Sequence, residues 1–382
     1  MAEWKLRRLE DVVELRRGFD LPSQDRNGGP IPVLSAGVTA GWHSESRVKG
    51  PGFVVGRATN LGQPTWSDDD YWPLNTTLYA ADFKGNSPRF LYHLFEVTDL
   101  SGFDSGSVQP MLNRNYIAHV PVLIPPRSTQ RAIADVLGAL DDKIAANRLV
   151  ADTAMRLASA SFARSSETAI SKTLSLGELV AKGLIEFGDG YRTKKSELAM
   201  SGFRIIRAAD VKDALVRSSG SDFVSDTFAS QIGKKAACPG DIVVTTKGTV
   251  GRVAIVAEAV GRAVYSPQCC YLRVPEGSAL NYGYVVGWSL SADIQRQLAL
   301  LMHKTDMAPY VNLKDIGSLA IPVPHEDAQR RIGAEQRALV ELQHTCSAEN
   351  EVLTRTRDQL LPLLMSGKVT VKDAEDEVGG LV

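Results

Sequence analysis

The residues that could do enzymatic chemistry in this sequence are few. Asp82-Phe83-Lys84 and Asp210-Val211-Lys212 match the end of a nuclease carboxylate–lysine signature, in which carboxylates hold the metal ions that drive hydrolysis. Triplets of this kind are common by chance. Charge on a solvated surface is the simpler interpretation of both.

Motifs of other enzyme classes are incomplete. Ile124-Pro-Pro-Arg127 lacks the amide and the aromatic side chain with which amino-methyltransferases hold a flipped adenine. Ser366-Gly367-Lys368 has Pro362 where a Walker loop needs its first glycine. The histidines have no paired ligand spacing, and the neighbours Cys269 and Cys270 sit in an apolar strand pattern typical of buried thiols. The sequence therefore predicts no catalytic residues, no metal ligands and no disulfides.

Composition places the chain among globular proteins of about two domains. Its 382 residues are 44% hydrophobic and 23% charged. No apolar run is long enough to cross a membrane and the first residues do not resemble a signal peptide, so we expect a cytoplasmic protein without a membrane partner. A net charge of −1 gives no overall basic field. Contacts with nucleic acid would have to come from local patches.

Two long helices are the elements that must position any binding residues. The first is predicted over 126–166, after Pro125-Pro126, and roughly 38 helical residues would span about 55–60 Å. Its apolar and small residues recur in steps of four and three, which is typical of a coiled-coil seam. The seam residues are Ile133, Leu137, Leu140, Ile144, Asn147, Ala151, Ala154, Ala158 and Ser161. A second helix, over 326–368, has a weaker seam that includes Leu339, Leu342 and Leu353.

The chain contains this arrangement twice. Gln130 aligns with Gln329, and the same offset of 199 residues carries Asn113 onto Asn312. Residues 6–12 align with 174–180 at a different offset, 168 residues, because the second copy has extra residues in its loops. A period near half the chain length indicates two copies of a globular-plus-helix unit. The predicted segments are strand-rich domains at 1–125 and 167–325, helices at 126–166 and 326–368, and a disordered acidic tail at 369–382.

Four stretches carry a resemblance to a known family. They are the Pro-Pro entry at 125–133, Leu140–Asn147, Gln109–Asn113 and Gln359–Val369. Together, in a duplicated arrangement that covers the whole chain, they resemble the specificity (S) subunit of type I restriction–modification systems.

The resemblance implies an α+β fold and a non-catalytic function. Two pseudo-repeated strand-rich target-recognition domains would be separated by two long helices that pack as an antiparallel coiled coil. Each domain would read one half of a bipartite double-stranded DNA target, with half-sites about one turn apart, ~34–36 Å. The helices would set this spacing and bind two methyltransferase (M) subunits. Restriction/translocase (R) subunits would complete the complex, with S-adenosylmethionine, ATP and magnesium on the partners.

Two alternatives remain open. The chain could be a stand-alone DNA-binding or scaffold protein that dimerises through its coiled coil. An enzyme acting on small molecules is disfavoured by the missing catalytic constellation, since it would need a pocket with a perturbed acid or base.

The DNA-binding candidates lie mainly in two matched segments, 52–62 and 241–251, each a β-branched strand followed by a polar, glycine-containing turn. Lysine and arginine suit phosphates, and hydroxyl or amide groups suit base edges; a tight turn or an ordinary solvated loop is the alternative for each. The candidates are Arg57, Thr59, Asn60 and Arg114 in the first half and Arg192, Lys194, Lys195, Thr246, Lys247, Thr249 and Lys304 in the second. Asn113 and Asn312 more simply cap turns.

The helix residues have a separate role. Asn147 at the seam would fix the register of the helices if it is buried, and would be unremarkable if it is exposed. The apolar flank of the first helix needs a partner, either the second helix or a methyltransferase subunit. That flank consists of Leu149, Val150, Met155 and Leu157.

Overall fold

A computed structural model describes residues 4–105, 111–167, 170–217, 220–302 and 310–379. The chain divides into two compact units, Met1–Ala146 with Glu351–Val382 and Asn147–Asn350. Both long helices cross the boundary between these ranges. Each unit therefore contains one strand-rich domain and half of each long helix.

The elements before and including the first long helix follow the predicted plan of short strands. In chain order they are β1 (Lys5–Arg8), α1 (Leu9–Val12), β2 (Glu14–Arg17), β3 (Ile31–Ser35), β4 (Val38–His43), β5 (Gly52–Gly56), β6 (Pro64–Ser67), β7 (Trp72–Pro73), β8 (Thr77–Asp82), α2 (Pro88–Val97), β9 (Asp104–Ser105), β10 (Met111–Leu112), α3 (Arg114–Ile117), β11 (Pro121–Ile124) and α4 (Arg127–Glu167).

The main sheet of the first unit has the strand order β2-β8-β5-β6, with antiparallel neighbours. Strand β5 is buried along its length, and its Phe53 packs on Phe95 of α2 with 5.3 Å between ring centroids. Helix α2 begins with Pro88, and Ser87 caps its first turn. Strand β1 pairs with β11, which leads directly into α4.

The second half of the chain has more elements. They are β12 (Ile170–Ser175), α5 (Leu176–Ala181), β13 (Glu186–Asp189), β14 (Leu198–Ala199), β15 (Phe203–Ile206), β16 (Val211–Lys212), β17 (Ala214–Val216), β18 (Phe223–Val224), α6 (Ala229–Ile232), β19 (Ile242–Thr245), β20 (Val253–Ile255), β21 (Ala263–Tyr265), β22 (Cys269–Arg273), α7 (Tyr282–Ser289), α8 (Ala292–Met302), α9 (Leu313–Gly317), β23 (Ala320–Pro324), α10 (Glu326–Met365) and α11 (Val371–Val378).

The second unit repeats the plan of the first. Its main sheet runs β13-β22-β19-β20-β17-β16, so the first four strands match β2-β8-β5-β6. Strands β12 and β23 pair as β1 and β11 do. Cys269 and Cys270 are free and buried in β22, as predicted, and burial raises the pKa of both thiols to about 12.

The structure shifts the alignment of the two copies by one residue near their starts. The sequence placed 174–180 on 6–12, an offset of 168. Leu9 opens α1, Leu176 opens α5, and both are buried, so the offset is 167. Leu6 is 68% exposed. The sequence alignment was one residue off because it placed Leu174 on Leu6, which is a surface residue.

A buried glutamine holds each domain to its long helix. Gln130 accepts a hydrogen bond from the N–H of Ser87, which caps α2, and donates to the carbonyl of Pro125, both at 3.0 Å. Gln329 makes the same two bonds at 2.9 Å, to the capping Asn281 of α7 and to the proline carbonyl that ends β23. The repeated glutamine in the sequence thus has a structural cause.

The long helices pack against each other in both units. In the first unit the beginning of α4 and the end of α10 share one core, in which Leu140 and Leu353 are fully buried. In the second unit Gln336 near the beginning of α10 donates to the carbonyl of Ala158 near the end of α4, at 3.2 Å. The helices are therefore antiparallel, and the expected α+β class with paired long helices is confirmed.

The prediction of a disordered tail over 369–382 is wrong for its described part. Thr370 caps α11, and Ala374 and Val378 are buried in the core of the first unit. The acidic run is one face of a short amphipathic helix whose other face is apolar.

We predict that Gln130→Ala and Gln329→Ala each lower the free energy of unfolding by about 1–3 kcal/mol, because each leaves buried backbone groups without partners. Urea unfolding of the purified chain measures the effect. Arg131→Ala, at an exposed position of the same helix, is the control and should change it by less than about 0.5 kcal/mol. Glutamine variants as stable as this control would contradict the assignment.

Candidate nucleic-acid interface

The turns after β5 and β19 are the same structure built twice. In each, two backbone hydrogen bonds of 2.9 Å close the turn. The residues that make these bonds are Gly56, Gly62 and Gln63 in the first turn and Thr245, Gly251 and Arg252 in the second. Each residue of the second set lies 189 positions after its counterpart. The matched strand-turns of the sequence are thus matched in backbone geometry.

Two further segments meet each turn at the same end of the sheet. A Cβ on Gly18 would overlap a carbonyl of the loop before β8, and a Cβ on Gly190 would overlap one before β22, so both positions require glycine. From the other side, Leu112 donates its N–H to the carbonyl of Arg57 at 2.7 Å. Val311 donates likewise to the turn after β19, at 2.9 Å. We call this end of each sheet the turn surface, made of residues 18, 57–62 and 111–114 in the first unit and 190, 246–251 and 310–313 in the second.

In the first unit the predicted DNA-binding residues come together on the turn surface. Arg57 is half-buried, whereas Thr59 and Asn60 are exposed. Asn60 has a φ of +43° and its amide donates to a neighbouring backbone carbonyl at 3.1 Å, so it also shapes the turn. Arg114 is exposed at the first position of α3, whose cap is Asn113 as predicted.

In the second unit the turn presents a different subset. Lys247 and Thr249 are exposed. Thr246 is buried and its hydroxyl donates to the carbonyl of Gln268 at 3.1 Å, so the side chain holds the turn and a base contact by it is not supported. Lys304 lies outside the described residues. Asn312 caps α9, as predicted.

A basic loop follows Gly190 in the second unit. Arg192, Lys194 and Lys195 are all exposed. The loop has a defined shape because the backbone N–H of Lys194 donates to the buried carboxylate of Glu197 at 2.9 Å. Its cations therefore extend from a fixed backbone next to the turn surface.

The predicted cations have no acidic partners within ion-pair distance in the described part of the chain. These cations are Arg57, Arg114, Arg192, Lys194, Lys195 and Lys247. Nearby lysines differ, since Lys234 pairs with Glu186 at 3.0 Å and Lys235 with Asp189 at 2.8 Å. Cations without acidic partners, beside hydroxyl and amide groups, can bind phosphates and base edges.

The described residues contain neither a cluster of three or more histidine, cysteine or carboxylate side chains that could hold a metal ion nor a helix suited to crossing a membrane. The turn surfaces offer hydrogen-bond donors and positive charge.

The predicted helix-pairing residues are mostly buried. Leu137, Leu140, Ile144 and Leu353 belong to the core of the first unit. In the second unit Leu339 is half-buried and Leu342 is 42% exposed, because Val340 and Gln343 occupy the buried positions there. Leu342 is therefore not one of the buried seam residues.

Asn147 is a buried polar residue at the helix seam, as one of the two sequence interpretations required. Its amide donates to Glu349 at 2.7 Å and to Asn350 at 3.1 Å in the second unit. Polar partners across an apolar seam penalise a shift of one helix along the other.

A charged cluster, which the sequence did not reveal, joins α2 to both long helices in the first unit. Arg357 of α10 donates to Glu96 of α2 and, at 2.8 Å, to Asp141 of α4. His93, which is fully buried, contacts Glu96 through Nδ1 at 2.8 Å. Burial opposes ionisation of Glu96, but hydrogen bonds from His93 and Arg357 outweigh it and hold the pKa of its carboxyl below the usual value. Burial raises the pKa of Asp141, against the attraction of Arg357.

The apolar flank of α4 is only partly covered. Leu149 is 68% exposed and Leu157 51% exposed, with Val150 also exposed and Met155 half-buried. Within the described residues no other part of the second unit covers Leu149 and Leu157. This exposed stripe, Leu149, Val150 and Leu157, is hereafter the apolar stripe.

The family model of the type I restriction modification DNA specificity domain matches residues 1–150 and 174–354. The chain belongs to this family. The family is that of the DNA specificity subunits of type I restriction–modification systems, which are not catalytic, so the resemblance drawn from the sequence is confirmed.

The chain is also similar to individual proteins. The specificity subunit of the type I restriction enzyme MjaVIII of Methanocaldococcus jannaschii is 19% identical over 324 residues, covering 78% of this chain and 75% of that protein. The crystal structure of the type I restriction–modification S subunit from M. genitalium superimposes with a TM-score of 0.65 at 17% identity, over 95% of this chain and 96% of the other. The HsdS subunit of Thermoanaerobacter tengcongensis covers 96% and 97% of the two chains at 17% identity, with a TM-score of only 0.35.

We predict that Arg357→Met destabilises the specificity subunit by about 3 kcal/mol near neutral pH, because it leaves two half-buried carboxylates, Glu96 and Asp141, without their cation. The exposed Arg355→Ala on the same helix is the control.

The deficit of Arg357→Met should shrink as the pH falls to about 4. The lowered pKa of Glu96 contributes stability above its unfolded-state pKa that is lost on acidification, while protonation of Asp141 removes the cost of its buried charge. Urea unfolding at both pH values measures this. A deficit that does not change with pH would contradict the cluster's role.

Proposed function

We propose that the two strand-rich domains, residues 1–125 and 167–325, each read one half of a bipartite double-stranded DNA target. The observation that carries this proposal is the duplicated turn surface, with the same backbone bonds and unpaired cations in both units. A protein that reads two half-sites needs one binding surface per half. This chain has two copies of one surface with different side chains.

The side chains of the turn surfaces fall into two groups, one suited to phosphates and one suited to base edges. Arg57, Arg114 and Lys247 would bind phosphates and fix the domains on the duplex. Thr59 and Thr249 have hydroxyls that can donate to, or accept from, base edges. Because the basic loop 192–195 has no counterpart of equal charge in the first unit, the two halves would read different sequences.

The long helices would set the spacing between the two half-sites and bind two methyltransferase subunits. The apolar stripe supports this role, since exposed apolar side chains grouped along one helix are typical of a surface that another protein covers. Restriction subunits would join this assembly. S-adenosylmethionine, ATP and magnesium would bind to those partners, and the complex would act on genomic DNA in the cytoplasm.

We predict that Lys247→Ala weakens binding to all duplexes and lowers the slope of log affinity against log salt by about 1, because one phosphate contact is lost. Thr249→Ala should weaken binding only to duplexes with the cognate second half-site. Fluorescence anisotropy with cognate and scrambled duplexes over a salt series measures both. Arg148→Ala, at an exposed position of α4, is the matched control. If Lys247→Ala showed the same salt slope as this control, the proposal would be contradicted.

We predict that Leu149→Lys with Leu157→Lys abolishes association with the methyltransferase subunit while the chain still folds, because both side chains are exposed. Leu140 and Ile144 are unsuitable for this test, since they are buried in the first core and charge there would unfold the chain. Size-exclusion chromatography of the co-expressed subunits measures assembly. Arg156→Ala on an exposed face of the same helix is the control, and an intact complex from the double variant would exclude the apolar stripe as the interface.

A further inference from the structure

A basic cleft lies at the base of the first strand-rich domain, at the end of β8 opposite the turn surface. Its volume is about 510 Å³, and Arg7 of β1, Lys84 of the loop after β8 and Arg127 at the start of α4 line it. None of these three has a carboxylate within ion-pair distance among the described residues. Asp11 also lines the cleft, but its carboxylate accepts the backbone N–H of Arg8 at the start of α1.

The local backbone is shaped to admit these cations. Gly85 has a φ of +74°, and a Cβ there would overlap the guanidinium of Arg127. Lys84 itself has a φ of +51°, a conformation that is unfavourable for a lysine. The first N–H groups of α4 lack partners within the helix and add partial positive charge at the same place.

The second copy of the unit shows that the fold does not require these charges. By strand register Arg7 corresponds to Leu174. Lys84 corresponds to Glu276, which also precedes a glycine of positive φ, and Arg127 corresponds to Glu326, since each is the first residue of its long helix. Three cations in one copy thus stand where the other has one neutral residue and two carboxylates.

Residues that hold the unit together did not diverge in this way. Gln130 and Gln329 make the same bonds in both copies. Arg7, Lys84 and Arg127 line one cleft whose lining includes a single carboxylate, Asp11, so they repel one another. Their presence only in the first copy favours a ligand that supplies further negative charge.

We propose that this cleft binds a phosphate of the DNA backbone, and that the first half of the chain alone makes this contact. The inference rests on the proposed function, because it assigns the phosphate to DNA. Two guanidinium groups and the N-terminus of a helix suit phosphate oxygens in particular. The contact anchors the first domain without regard to sequence, so the two halves of the target are held unequally.

The test compares the full chain with its Lys84→Ala/Arg127→Ala variant, by anisotropy on cognate and scrambled duplexes over a salt series. We expect about a tenfold loss of affinity for both duplexes at low salt, a salt slope reduced by about 1–2, and an unchanged preference for the cognate sequence. The single variant Arg127→Lys keeps the positive charge and retains Lys84. It should bind both duplexes nearly as tightly as the unaltered chain.

The matched control is Glu276→Gln/Glu326→Gln at the corresponding positions of the second copy. It changes net charge by the same amount in the opposite direction. If general charge caused the effect, this control would strengthen binding as much as the first variant weakens it, and that result would overturn the proposal.

Other outcomes are equally decisive. Affinity and salt slope equal to those of the unaltered chain would overturn the proposal, and a concurrent loss of methyltransferase binding would assign the cleft to an acidic protein surface instead. Inorganic pyrophosphate that binds the unaltered chain but not the variant, with DNA binding unaffected, would assign a free phosphate and overturn the DNA assignment. Failure of the proposed function is distinct, since the unaltered chain itself would then show no preference for any duplex.

Discussion

The fourth residue of each long helix fixes where a recognition domain sits. The amides of Gln130 and Gln329 are buried, so each must have hydrogen-bond partners. Each glutamine accepts a hydrogen bond from the capping residue of the domain's helix, Ser87 or Asn281. Each also donates to the carbonyl of the proline that precedes its own long helix, Pro125 or Pro324. We call this pair of bonds the glutamine clamp. Any other docking of the domain would leave these groups unsatisfied. The direction in which each turn surface faces, relative to its helix, follows from this clamp.

Apart from these glutamine bonds, the contacts between the domain's helix and the long helices differ between the two copies. In the first unit a half-buried charged cluster centred on Arg357 joins α2 to both long helices. In the second unit α7 lies so close to α10 that a Cβ on Gly283 would overlap the carbonyl of Gly333. Charge pairing and close backbone approach are alternative ways to fill the same interface. The divergence indicates that the clamp carries the common requirement and that the surrounding contacts were free to change.

Much of this was accessible from the sequence because it depends on periodicity and repetition. The seam from Leu137 to Asn147 and the repeat of Gln130 at Gln329 predicted the long helices and the duplication, and the family was suggested by the resemblance of four short stretches. Side-chain placement was less accessible. Thr246 and Lys247 are neighbours in a turn, and only the fold shows that one is buried and the other exposed.

Contacts between distant segments were not accessible at all. Glu96 and Arg357 are separated by 261 residues, and no spacing in the sequence connects them. The tail was misjudged because a short amphipathic helix with two buried apolar residues, Ala374 and Val378, has nearly the composition of a disordered acidic segment.

The most direct test of the account is a map of modified adenines in cells that express this chain with its methyltransferase subunit. The account predicts a single bipartite motif with a fixed gap, of which only one half changes when residues 1–125 are exchanged for another recognition domain. A contiguous motif, or an exchange that alters both halves together, would contradict the central claim that each strand-rich domain reads its own half of the target.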